Sequence, residues 1–414
     1  MGNDPGPAHQ AAVAAARRSY GKLVAFLAAR TRDVAGAEDA LAEAFASALA
    51  TWPQRGVPDN PEAWLLTVAR RKMIDEARVR QGGEGVAEHL ALLAELAEGE
   101  DDEPAIPDDR LALMFACAHP AIDAGVRAPL ILQAILGFDA AAIGSAFLVA
   151  PATMGQRLVR AKSRIRQAGI PFRVPGQADL RERLDAVLDA IYAAYAEGWD
   201  DAAGTDVRRR NLAEEAIWLG RLVASLLPQE PEALGLLSLM LHAQARRAAR
   251  RDAEGAYVPL DQQDVALWDA PLMAEADALL RHAGACGTIG RFQLEAAVQS
   301  AHVVRQRTGQ ADWPAIERLY AALETLTSSP VVTINRAVAM AETSGPQAGL
   351  ALLDGLAGDA RLADYQPYWA ARARLLSRAG SPREAAIAYE RAIGLERDPA
   401  VRQFLHRQRE ALAG

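Results

Sequence analysis

The residues best suited to recognition chemistry lie in one short run, PATMGQRLVRAKSRIR, from Pro151 to Arg166. It holds Arg157, Arg160, Lys162, Arg164 and Arg166 and no acidic residue. Guanidinium groups at that density suit phosphate oxygens, and the Gln156 amide carries the paired donor and acceptor that match a base edge. Met154, Leu158, Ala161 and Ile165 fall on one helical stripe and are expected to be buried. Ala152, Gln156, Val159 and Ser163 then point the other way, with Arg160 at that outward edge and the remaining cations flanking it. Elsewhere, chemistry-bearing patterns are sparse. The chain has no glycine-rich phosphate loop, no His-Glu-x-x-His and no Cys-x-x-Cys. His282 and Cys286 are four apart but supply only two metal ligands. No catalytic residue, cofactor or metal is expected, and the chain is read as a non-enzyme.

A helix that enters a groove needs a second helix and a tight turn to hold it. Ile143 and Phe147 are four apart and share a helix face. Gly144 leaves room for a second helix to approach, LVAP breaks the first helix, and Pro151 suits the first turn of the next. These features predict a helix-turn-helix. Against it, Leu148 stands where the turn commonly takes glycine, and Gly155 weakens the second helix by about 1 kcal/mol. A basic amphipathic helix on its own is also an ordinary solvated face.

The rest of the chain must position that helix. It has 414 residues, formal net charge −8 and 51% hydrophobic residues, enough for two or three domains with their own cores. Alanine, leucine and arginine dominate and β-branched runs are short, which predicts an all-α fold. Two distant cysteines, Cys117 and Cys286, argue against a disulfide framework and fit a reducing cytoplasm. The N-terminal stretch lacks the pattern of a signal peptide, and no apolar run is long enough for a bilayer, so no membrane partner is expected. Residues 83–109 hold ten acidic residues and no Lys or Arg, between two basic segments. That charge pattern, with glycine and proline in it, reads as a spacer. Four blocks follow: 8–80 helical, 81–106 an acidic linker, 107–170 helical and ending in the basic helix, and 178–414 helical.

The first block changes what the helix-turn-helix implies. AGAEDALAEAFASALATW followed by NPEAWLLTVARRKMIDEARVR resembles the second conserved region of bacterial sigma factors of the extracytoplasmic-function (ECF) type. AAIGSAFLVAPATMGQRLVRAKSRIR is similar to the fourth region, with its Thr-apolar pair at Thr153 and Met154 and its Arg-Leu-x-Arg-Ala step. The resemblance implies a transcription initiation factor with two partners, core RNA polymerase and promoter DNA. It makes Asp39 and Glu43 the polymerase-facing carboxylates, although their helix also reads as an ordinary amphipathic one. Asn60 becomes the candidate pocket for an extruded −10 base, while Asp-Asn-Pro is equally a normal helix start. Arg70, Arg71, Lys72, Arg78 and Arg80 are placed to follow the phosphates of a single strand. Many family members carry Asn where Arg71 stands, so −10 base preference does not transfer. Thr153, Gln156, Arg157, Arg160 and Arg164 become the −35 set. Trp64 reads as core rather than a stacking platform.

A minimal ECF factor would end near residue 170. Beyond it, Trp369, Gly380, Ala385, Tyr389 and Ala392 fall at tetratricopeptide (TPR) offsets, with fainter copies upstream. Stacked helix pairs of this kind present a concave surface to a protein or small-ligand partner. The whole chain resembles an ECF subgroup with a large C-terminal TPR-like regulatory extension. The segment RRDAEGAYVPLDQQDVALWD, 250–269, is either a ligand loop or an exposed connection. A free-standing regulator, sensing through the repeats and binding DNA through the one helix-turn-helix, is the competing reading.

Overall fold

The computed structural model describes residues 7–79, 108–147, 149–199 and 207–412. The acidic linker expected at 81–106, Arg80 and Leu148 lie outside them. The fold is all-α: the described residues are helices joined by turns, with one isolated bridge between Arg251 and Tyr257. The chain forms two compact units, residues 1–200 with 206–216, and residues 201–205 with 217–414.

In the first unit α1 (Pro7–Thr31), α2 (Val34–Arg55) and α3 (Pro61–Val79) pack on one another. Asp33 starts α2, its carboxylate accepting from the Gly36 amide at 3.1 Å. After the linker come α4 (Arg110–Cys117), α5 (Ala124–Leu136), α6 (Ala140–Ala146), α7 (Pro151–Gln167) and α8 (Gln177–Trp199). Leu23 to Ala28 are buried without a break, so α1 is covered on every side. Helices α2 and α3 lie against it, and so do α4 and α5. A Cβ on Gly21 would come within 2.2 Å of the Ile135 carbonyl oxygen, so only glycine allows α1 and α5 to approach this closely. The expected pair of separate small modules is therefore one body with a shared core.

Helix α8 also belongs to this body. Val187, Leu188, Ile191 and Tyr195 are buried, the helix packs on α4 and α5, and an Arg183 Nη donates to the Phe115 carbonyl at 3.4 Å. The first compact unit thus runs past residue 178 into α9 (Val207–Leu226), as far as Ala216. The Pro-containing stretch before α8 is a turn inside the first unit.

The second unit continues with α10 (Pro231–Ala245), α11 (Ala270–Ala285), α12 (Arg291–Val303), α13 (Arg305–Thr308), α14 (Trp313–Thr327), α15 (Pro330–Thr343), α16 (Pro346–Gly355), α17 (Gln366–Arg378), α18 (Pro382–Leu395) and α19 (Pro399–Glu410). Proline sits in the first turn of helix after helix, where its missing N–H costs nothing. Asp269, Asp312 and Asp398 accept from the first free amides of α11, α14 and α19. The Glu232 carboxylate accepts from the Phe292 and Gln293 amides at 2.9 and 3.1 Å, capping α12 from α10. Toward the C-terminus the apolar interior is a row of small cores. One holds Val298, Ile316 and Ala339, the next Ile334, Ala337, Leu353 and Leu375, and a further one Ala385, Tyr389, Ala392 and Leu405.

Candidate nucleic-acid interface

Helix α7 has the face its sequence predicts. Met154, Leu158, Ala161 and Ile165 are buried, while Thr153, Gln156, Arg157, Arg160 and Arg164 are exposed. The turn before it is tight. The Val149 amide donates to the Gly144 carbonyl at 2.8 Å, and a Cβ on Gly144 would come within 2.7 Å of the Val149 oxygen. Asp139 starts α6 by accepting from the Ala142 amide at 2.6 Å. Gly155 meets only an ordinary contact, 3.8 Å from the Ala140 side chain.

Arg157, Arg160 and Arg164 recur on one face and line a groove of about 410 Å³ opposite Ile122 and Asp123. Three cations around an open groove attract a polyanion, and Gln156 stands beside them with its amide in solvent. The Arg160 Nε donates to the Gln156 carbonyl at 3.3 Å, which steadies one guanidinium on the helix surface.

The other two cations of the run do something the sequence did not suggest. Lys162 turns inward and pairs with Glu38 of α2, and Arg166 lies 3.3 Å from Asp33 at the start of α2. Position 162 borders the buried stripe, next to Ala161 and four residues after Leu158, so a long side chain there can run inward. Which way it runs depends on a carboxylate far away in sequence. Glu38 is buried, and burial raises its pKa, with the Lys162 charge offsetting part of the rise. Its Oε1 is buried with no hydrogen-bond partner among the described residues.

Around α2 and α3, Asp39 and Glu43 are exposed on one face of α2. Glu43 pairs with Lys72 of α3, so these two predicted site residues meet each other. Arg71 is exposed, and Arg70 is half-buried with its guanidinium 5.1 Å from the Phe26 ring centre. Arg78 lies in the last turn of α3, and its side chain is outside the described residues. Asn60 is exposed at the start of α3 and accepts from the Ala63 amide at 3.1 Å, the capping role its sequence context allowed. Trp64 is half-buried, its ring edge-on to Trp52 at 5.5 Å.

Among the described residues no group of three His, Cys, Asp or Glu side chains is placed to hold a metal ion. The Cys286 thiol donates to the His282 main-chain oxygen at 3.5 Å. No helix among the described residues is long and apolar enough to cross a membrane.

Among the described residues the chain is all-helical and presents an exposed, arginine-bearing helix at Pro151–Gln167 and a second polar, partly basic helical face on α2 and α3. Residues 16–82 match the family described as Sigma-70 region 2, which supports a sigma-factor-like role in transcription initiation and places core RNA polymerase and promoter DNA among the expected partners. Residues 183–284 match a family of unknown function (DUF6596). An uncharacterized protein of Rhizobium meliloti (strain 1021) is 39% identical over 416 residues, which cover 99% of this chain and 97% of the relative. The chain belongs to the same family as that protein. No solved structure matches it.

Proposed function

We propose that the protein is a sigma factor of the ECF type, controlled by its own C-terminal helical-repeat domain. It binds core RNA polymerase through the α2 face that carries Asp39 and Glu43. It opens the −10 element with the segment that holds Asn60, Arg70, Arg71, Lys72 and Arg78, and reads the −35 element with Thr153, Gln156, Arg157, Arg160 and Arg164. One observation carries this reading: the Sigma-70 region 2 match over residues 16–82 shares a compact unit with an outward, arginine-bearing helix at Pro151–Gln167. A repressor or activator needs only the second of these.

The same unit sets a condition on function. Two promoter elements read by two faces are engaged together only if those faces match the elements' spacing on the duplex, at about 3.4 Å per base pair. A compact body of some two hundred residues is roughly 45 Å across. We infer that the two DNA faces part to engage both elements, with polymerase as the partner that holds them apart. The contacts to be given up are those of α1 with α4 and α5, and of α2 with α7.

The C-terminal domain is assigned the regulatory part because its described residues build successive small cores, an arrangement compatible with a helical-repeat stack that presents a binding surface. The test is run-off transcription with core polymerase and a promoter library. Promoter-specific initiation that needs both polymerase and this protein is the expected result. Tight operator binding by the protein alone, with no effect on polymerase, would establish a free-standing regulator instead.

A further inference from the structure

The second unit holds a cavity of about 600 Å³, the size of a site for one small ligand. One wall is the 250–269 segment and the others come from α12, α14, α15 and α17. Its lining is aromatic to an unusual degree: Tyr257, Trp268, His302, Trp313 and Tyr320 all contribute. Flat rings around a half-open space favour a flat ligand, through stacked and edge-on contacts. His302 and Trp313 already make one such contact, ring centres 5.6 Å apart and nearly perpendicular. Trp268 is 4% exposed, and its indole N–H finds no acceptor among the described residues.

The charges on the lining are not balanced. Arg374 is paired with Asp261 at 2.9 Å, and this pair closes part of the rim. Arg305 has no such carboxylate among the described residues. Its two Nη atoms donate to the main-chain oxygens of Leu260 and Gln263, at 2.6 and 3.2 Å, which fixes the guanidinium against the 250–269 wall. Main-chain carbonyls orient a cation without neutralising it. Burial and the Arg246 and Arg305 charges bring the His302 pKa down to about 4, so the imidazole is neutral at pH 7. The cavity therefore combines several aromatic surfaces with one fixed, uncompensated positive charge.

We propose that this cavity binds a small aromatic anion, a planar ring system bearing one carboxylate or sulfonate-type group. The rings sit among Trp268, Trp313 and Tyr320, and the anionic group meets Arg305. The 250–269 segment is then a ligand-site wall. This site goes beyond the sigma-factor reading and does not depend on it.

The test uses the full chain without polymerase or DNA, and two fluorescent probes of nearly the same shape. One is 1-anilinonaphthalene-8-sulfonate, and the other is its uncharged parent, N-phenyl-1-naphthylamine. The anion is expected to bind saturably, one per chain, and roughly tenfold or more tighter than the parent. Arg305→Gln should weaken the anion by a similar factor and leave the parent within about twofold. Val338→Trp, on α15 at the cavity wall, should abolish binding of both by filling the space, and it leaves the Arg305 loop contacts intact. Circular dichroism of each variant confirms that the helices persist. No saturable binding, or binding unchanged in Val338→Trp, would overturn the site. Equal binding of the two probes, or no effect of Arg305→Gln in a folded variant, would overturn its preference for an anion.

Discussion

Lys162 on α7 and Glu38 on α2 form an ion pair across 124 positions of sequence, each side chain only 11% exposed. Removing Lys162 leaves the buried Glu38 carboxyl either charged without a partner or forced to take up a proton, and both are costly. Lys162→Ala is expected to destabilise the first unit by about 3–5 kcal/mol. Because the Glu38 Oε1 is already unsatisfied, the double variant Glu38→Leu with Lys162→Met should be neutral or more stable by about 1–4 kcal/mol. Urea denaturation of the three proteins checks both. If the unit opens on polymerase, the double variant should also transcribe less.

Gln156→Ala is expected to relax or shift −35 sequence preference, a change of about 1–3 kcal/mol at one base pair. Arg157→Ala and Arg160→Ala should weaken DNA binding evenly across sequences and each lower the salt slope by about one. Competitive promoter selection with core polymerase separates the two behaviours. Unchanged preference in the Gln156 variant would show that the amide reads no base.

Asn60 has two candidate roles that one pair of variants separates. Asn60→Ala removes the cap on α3 and should cost about 1 kcal/mol. Asn60→Asp keeps a capping oxygen but loses the amide donor. If the residue only caps, the aspartate variant transcribes normally. If it holds an extruded base, promoter melting fails in both variants, as permanganate footprinting would show.

A chain ending at Val174 lacks α8 and so exposes the apolar surfaces of α4 and α5 that α8 covers. It should be markedly less stable than a chain ending at Ala216, with a lower urea midpoint and a tendency to aggregate. Loss of transcription in the shorter chain is then expected from damage to the first unit, and the chain ending at Ala216 is the proper probe of regulation by the second.

His242 and His302 both have folded-state pKa values brought down to about 4, chiefly by burial. In the unfolded chain each titrates near 6.5. Between those values the unfolded state binds more protons, so the stabilising contribution is complete above about pH 6.5 and is lost as pH falls toward 4. The loss is about 3 kcal/mol for His302 at the low end, and His242, whose Nε2 lies 3.4 Å from Asp277, adds to it in the same direction. Denaturation midpoints of the full chain measured from pH 7 to 4.5 should fall accordingly, and replacing both histidines with Leu and Phe should flatten the curve.

What the sequence revealed was local. The stripe Met154, Leu158, Ala161, Ile165 repeats at the helical period, and the close approach at Gly144 follows from its neighbours. In the C-terminal run, Ala385, Tyr389 and Ala392 are buried and Gly380 has φ +80° at the turn between helices. What it concealed was long-range. Nothing near Gly21 marks it as a partner of Ile135, and nothing near Lys162 says that Glu38 awaits it. Five cations on one short helix look alike on paper, yet three face the groove and two face α2. Helix α8 read as the start of a new domain because a minimal ECF factor would end near residue 170, while its buried face packs on α4 and α5.

The seating of Gly21 on the Ile135 carbonyl also orders events during synthesis. The ribosome adds about 5–20 residues per second, so roughly 6–20 s separate the making of α1 from that of α5. In the later part of that interval, once α2 and α3 are made, the run Leu23–Ala28 can be covered by them but not yet by α5. Until α5 is made, the side of α1 that it covers has no partner in the chain, so the apolar run Leu23–Ala28 is last to be enclosed.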